Sequence, residues 1–142
     1  MKIGLKVELK ESFDQVAEAH LAGLMEALTE TGFEAEAYAK IESAVDTGAQ
    51  RASVFVVTPT SSDYSQAAAE AQKLQPGVEI FPEPAKPASR EVLVAVGVNY
   101  AYWNEVLGKP FLSPAMDRTM PGLVQRAYKT VGSRLSQVIR IR

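Results

Sequence analysis

Hydrophobic and polar positions alternate strictly at the start of the chain: Ile3, Leu5, Val7 and Leu9 take one face and Lys2, Lys6, Glu8 and Lys10 the other. That period of two predicts a half-buried strand over 2–10, with lysines suited to a sheet edge. The period then becomes helical. Phe13, Val16, Leu21, Leu24 and Leu28 recur at three- and four-residue steps, and Ser12 with Gln15 forms a capping box. Gly32 predicts a stop or bend, followed by a second helix from Phe33 with Ala37, Ile41 and Ala44 on one side, so helices occupy 12–45. Val45-Asp46-Thr47-Gly48 reads as a turn, because Asp and Thr bond nearby amides and Gly accepts positive φ.

The β-branched and aromatic run RASVFVVT predicts a strand over 50–58 that Pro59 ends. Residues 59–90 form an excursion: an alanine-rich helix over 62–74, a Pro76-Gly77 stop, a brief strand at 78–81 and a proline-rich surface loop. EVLVAVGV predicts the clearest strand, over 91–98, with Val92, Val94, Val96 and Val98 on one face. After an aromatic segment and a Gly108-Lys109-Pro110 turn, Ser113 as N-cap and Pro114 at the first position open a C-terminal helix over 113–135, broken or restarted at Pro121-Gly122. The VIRIR tail alternates and can add a last strand. The expected architecture is one α+β domain over 1–142: a mainly antiparallel sheet with a long N-terminal helix and a C-terminal helix packed on one face.

Composition narrows the classes. With 142 residues, 46% hydrophobic and 23% charged, the chain matches an ordinary globular domain. No apolar run approaches the ~18 residues of a membrane span, and MKIGLKVELKES lacks a secretory h-region. The absence of cysteine excludes disulfides, thiolate metal sites and cysteine nucleophiles. A net charge of −2 argues against general nucleic-acid binding, but it conceals an asymmetry. Residues 1–46 carry ten acids and four bases, and 109–142 carry seven bases and one acid. Such segments either steer association between molecules or pack on each other within one subunit.

Candidate chemistry is sparse. Asp46-Thr47-Gly48-Ala49 matches the aspartic-peptidase signature, in which two such loops pair their carboxylates across a dimer axis. One copy would demand a homodimer, and Ala95-Val96-Gly97 resembles the apolar-apolar-Gly strand of those enzymes. The context differs, since the loop follows an amphipathic helix instead of a buried strand. His20 has no second histidine or carboxylate cluster at ligand spacing and reads as a packed or half-exposed helix residue. No phosphate-binding glycine loop and no Gly-x-Ser-x-Gly elbow occur. Tyr100, Tyr102 and Trp103 form an aromatic cluster, a type that closes the end of a core more often than it anchors a partner.

Two segments together resemble a known family. Ala39 to Val54 holds Val45-Asp46-Thr47-Gly48 followed by Arg51-Ala52-Ser53, and Val94 to Asp117 holds Tyr100-Ala101, Glu105, Gly108, Pro110-Phe111-Leu112 and Pro114-Ala115. Their order resembles the neck or tail-completion proteins of tailed bacteriophages (putative tail components, head–tail joining), over roughly residues 38–135. The loop between Glu105 and Pro110 is shorter than is usual there, 61–90 is enlarged, and Pro121-Gly122 interrupts the final helix. The resemblance implies a non-enzymatic virion structural protein without cofactor or metal. Such proteins join the tail to the capsid connector as a ring or collar of identical subunits, in the virion and, during assembly, in the host cytoplasm. It implies partners among tail terminator or tail tube proteins and connector or head-closure proteins, DNA passing through the lumen without specific binding, and no membrane. Asp46 and Thr47 would cap a turn, Gly48 would supply its freedom, Ser53 would start a strand and Arg51 would be a surface or interface charge. Tyr102, Trp103, Arg134 and Arg140 are the candidate interface, with Glu18 or Glu26 as acidic counterparts, and loop 82–90 is a docking arm or a plain surface loop. The alternatives are a homodimeric peptidase using Asp46-Thr47-Gly48 and a small cytosolic binding module that shares only the fold.

Overall fold

The computed structural model describes residues 12–138, so the expected strand over 2–10 and the tail after Val138 lie outside the described residues. The elements run α1 (Ser12–Glu42), α2 (Ala49–Ala52), β1 (Val54–Val57), α3 (Tyr64–Leu74), β2 (Leu93–Val96), α4 (Ala101–Val106) and α5 (Leu112–Val138). The class is α+β, but helices dominate, and β1 and β2 form a two-stranded antiparallel sheet with Val54 opposite Val96 and Val57 opposite Leu93. The expected mainly antiparallel sheet is corrected accordingly. Residues 49–52 form a helical turn instead of opening the strand, and the strand expected at 78–81 reduces to a bridge between Ile80 and Val98.

Alternation along β1 divides the core. Phe55 and Val57 pack with Ala95, Ala67 and Tyr64, so α3 covers that face. A Cβ on Gly32 of α1 would approach Val92, Val56 and Val94, so α1 covers the other. Helix α3 therefore lies on the sheet face opposite α1. A second cluster joins Ala39, Ala49, Val54, Val98, Ala101, Phe111 and Ala115 from six segments of the chain. Phe111 is fully buried, which contributes about 2–3 kcal/mol.

Helix α1 passes through Gly32 without the expected break, and it ends at Glu42 instead of reaching 45. Gly32 is tolerated because the Val92 methyl would lie 2.8 Å from any Cβ there. The buried seam of α1 is also not the expected one. Gly23, Ala27, Thr31, Ala35 and Ala39, spaced by four, are buried, whereas Leu21, Leu24, Phe33 and Ile41 are exposed. Small side chains let α5 approach closely: a Cβ on Gly23 would lie 2.6 Å from the Val131 Cα. The Thr130 hydroxyl donates across the same gap to the Gly23 carbonyl at 2.6 Å.

Helix α5 likewise runs through Pro121. The proline forfeits one amide to the carbonyl four residues earlier, a loss the packing against α1 offsets. The two long helices are antiparallel and share the most extensive contact in the fold. Three ion pairs lace them at eight-residue steps: Glu42–Arg118 at 3.1 Å, Glu34–Arg126, and Glu26–Arg134 at 2.8 Å. Much of the opposite charge of the two terminal segments is thus consumed within one chain.

Candidate functional site

The loop after α1 is built around Gly48, whose φ of 84° is left-handed and unfavourable for other residues. Thr47 Oγ1 accepts the Ala49 amide at 3.2 Å and donates to Gln75 Oε1 at 3.0 Å, so it closes a tight turn before α2 and ties the loop to the end of α3. Asp46 is exposed, and no hydrogen bond to its carboxylate forms among the described residues. Ser53 is fully buried. Its hydroxyl donates to the Gln50 carbonyl at 2.9 Å and accepts the Val98 amide at 3.3 Å, while its carbonyl accepts the Gly97 amide. The serine pins the start of β1 to the end of β2, and Arg51 beside it is exposed.

Gln50 links the two motif segments. Its buried amide donates to Ser43 Oγ at 2.9 Å and accepts from Asn104 Nδ2 at 2.5 Å. The Tyr100 hydroxyl reaches Gln75 Oε1 at 3.5 Å. Together Ala44, Asp46, Gly48, Gln50, Gln75, Tyr100, Asn104 and Lys109 line a polar cleft of about 360 Å³. Segments that lie some fifty residues apart in the chain therefore meet there. Among the described residues Asp46 is the one carboxylate on its wall and Lys109 the one ammonium, and the Ser43 and Ser53 hydroxyls next to it are both tied to Gln50.

The second segment closes on Glu105. Gly108, at φ 99°, reverses the chain after α4 and brings the start of α5 onto that side chain. The carboxylate accepts the Phe111, Leu112 and Ser113 amides at 2.8, 3.0 and 2.9 Å, and the Ser113 hydroxyl as well. Burial pushes the Glu105 carboxyl up, but the Ser113 hydroxyl and the three amides outweigh it and hold it below the usual carboxylate value. The helix begins at Leu112, so the expected N-cap role of Ser113 passes to Glu105, and the negative charge meets the positive end of the helix dipole. Pro114 sits in the first turn, where no amide is needed, and exposed Pro110 precedes buried Phe111.

The aromatic cluster splits. Tyr100 is half-buried against the core, but Tyr102 and Trp103, in edge contact at 5.3 Å, are 57% and 59% exposed. The more frequent core-closing role is therefore not theirs. Arg134 is paired with Glu26 in its own chain, and Arg140 lies outside the described residues. His20 is exposed on α1. Among the described residues no three His, Asp or Glu side chains gather as a metal site, and no helix is long and apolar enough to cross a membrane.

Gln50, Gln75 and Asn104 had no signal in the sequence, since single amides in helices carry no spacing rule. Glu105 had one: a glutamate followed by a glycine turn and a Pro-Phe pair at a helix start. No protein-family model matches the chain, and neither the curated proteins nor the solved structures contain a significant match.

Proposed function

We propose that this chain is a non-enzymatic structural protein of the head–tail junction of tailed bacteriophages, which assembles as a ring or collar between the tail and the capsid connector. The observation that carries the reading is the meeting of the two motif segments. The Val45–Ser53 and Tyr100–Pro114 residues that resemble the neck family form one hydrogen-bonded unit through Gln50–Asn104, and their polar groups bond to one another. This accounts for the Asp-Thr-Gly sequence as a turn: Thr47 bonds the Ala49 amide and Gly48 supplies φ, while Asp46 stays at the surface without, among the described residues, the capping bond expected of it.

On this reading the partners are copies of the chain itself, tail terminator or tail tube proteins, and connector or head-closure proteins. The test is particle assembly. A phage with this gene disrupted should accumulate filled heads and separate tails in electron micrographs, and the purified protein added to that lysate should join them. Intact, infectious particles formed without the protein would overturn the reading. The peptidase alternative has its own test: Asp46→Asn should leave joining unchanged, whereas a peptide-cleaving activity of the wild-type protein that this substitution abolishes, together with joining, would favour the enzyme.

A further inference from the structure

The seam between α1 and α5 is made of small residues, so the large apolar side chains of these helices lie beside it. Leu24 and Leu28 of α1, with Val124, Tyr128 and Leu135 of α5, line an apolar groove of about 650 Å³. Met116 and Met120 continue the α5 side as exposed apolar residues, and Tyr128 is 79% exposed. Gly132 lies in the same groove inside a helix, where glycine costs about 1 kcal/mol against alanine. Gly23 and Gly32 are each explained by a neighbour that would collide with a Cβ, but a Cβ on Gly132 would meet nothing within 4 Å among the described residues. Its notch opens outward, where a side chain from another molecule can enter.

The same chain carries a projection of matching character. On α4 and its end, Tyr102, Trp103, Val106 and Leu107 are each more than half exposed, at helical spacing on one side. Trp and Tyr in such a position are the residue types that dominate binding energy. From their exposures and ordinary side-chain areas, the projection and the groove each offer on the order of 500 Å² of apolar surface. Joined, they reach about 1,000 Å², the lower bound for a specific interface. Groove and projection are different patches, so their pairing is head-to-tail and propagates or closes on itself.

We infer that the α4 projection of one copy docks in the α1–α5 groove of the next, with Trp103 as its anchor. This names the subunit contact of the proposed ring and rests on that reading only for closure of the ring. The chain has no cysteine, so single cysteines report the contact directly. Val106→Cys and Val124→Cys replace exposed valines and leave Trp103 and Tyr128 in place. One of the two variants carries a size tag, and they are mixed at about 0.1 mM, a concentration that populates contacts of micromolar strength, and mildly oxidised. The mixture should give the mixed disulfide dimer well above either homodimer. Trp103→Asp in the Val106→Cys variant should cut that product about tenfold or more, with the helical circular dichroism unchanged.

Three results would overturn the inference. Val124→Cys homodimers forming as fast as the mixed product would make the groove self-complementary. A mixed product insensitive to Trp103→Asp would mean random collision. No disulfide at all, from folded protein, would assign the groove to a different partner or to the chain's own residues 1–11. None of these outcomes depends on whether heads and tails join, so failure of the contact and failure of the virion reading are separable.

Discussion

Replacing Glu105 by Gln tests whether one carboxylate organises the entry into α5. The side chain accepts three amides and a hydroxyl, all from residues 111–113. Gln keeps one acceptor oxygen but turns an NH₂ toward donors, so roughly half of the cap and all of its charge are lost. Charge-assisted caps are worth about 1–2 kcal/mol, and Glu105 is half-exposed, which keeps the value inside that range. Thermal unfolding of E105Q should therefore fall by about 3–8 °C at neutral pH. The sign of the pH dependence follows from the lowered carboxyl. Above the unfolded value of about 4.3 the stabilisation is fully present, and it is lost as pH falls through the lower folded value. Urea unfolding of both proteins at pH 7 and in a series below pH 4.5 should show a gap that narrows as acid is added. Equal stability at pH 7, or a gap that stays constant into acid, would refute the capping role.

The seam between α1 and α5 yields two further expectations. Gly23→Ala places a methyl against the Val131 backbone and should cost about 1–3 kcal/mol in urea unfolding, whereas Gly132→Ala should stabilise the subunit by about 0.5–1 kcal/mol. Arg126 bonds both Thr31 Oγ1 (3.0 Å) and Glu34, so Arg126→Met should cost about 1–3 kcal/mol. Arg134→Met removes a half-exposed pair and should cost at most about 1 kcal/mol, an effect that 1 M salt erases.

Much of the local structure was legible in the sequence, and the seam was not. The turn at Val45–Gly48, the helix at Tyr64–Leu74 inside the expected 62–74, the Gly77 stop at φ 78° and the Val-rich strand, Leu93–Val96 inside the expected 91–98, all follow from residue chemistry that acts within a few positions. Gly32 and Pro121 misled for a common reason. Both are breakers by propensity, and both are overridden where a long helix lies against another element, α1 under Val92 and α5 along α1. The buried face of α1 was misjudged because hydrophobic periodicity weights large residues. Here a four-residue repeat of Gly, Ala and Thr is what lets the backbones approach, and Leu21, Leu24 and Ile41 are left outside. In the candidate site, the motif residues Thr47, Gly48, Ser53, Tyr100 and Glu105 were visible as a pattern. Gln50, Gln75 and Asn104 became visible only when the chain brought them together.

The charge asymmetry left two readings open, a contact between subunits and packing within one, and three of its ion pairs fall under the second. An acidic first third and a basic last quarter suit a contact between subunits, and Arg134 with Glu26 would be natural members of it. Instead the pairs Glu26–Arg134, Glu34–Arg126 and Glu42–Arg118 hold α5 to α1 inside one subunit. Reversing Arg134 would then disturb the subunit before any neighbour, so its loss cannot report assembly. The pairs favour the register that the Gly23–Val131 approach and the Thr130–Gly23 bond require, and register decides which side chains the seam excludes. If α5 slid by one turn, the Gly23–Val131 approach would be lost and Val124 and Tyr128 would no longer stand opposite Leu24 and Leu28. The ion pairs thus contribute, together with the small-residue seam, to the apolar groove on which the proposed subunit contact depends. Salt should therefore weaken any assembly only as far as it loosens α5, whereas Trp103→Asp should weaken it about tenfold or more at every ionic strength.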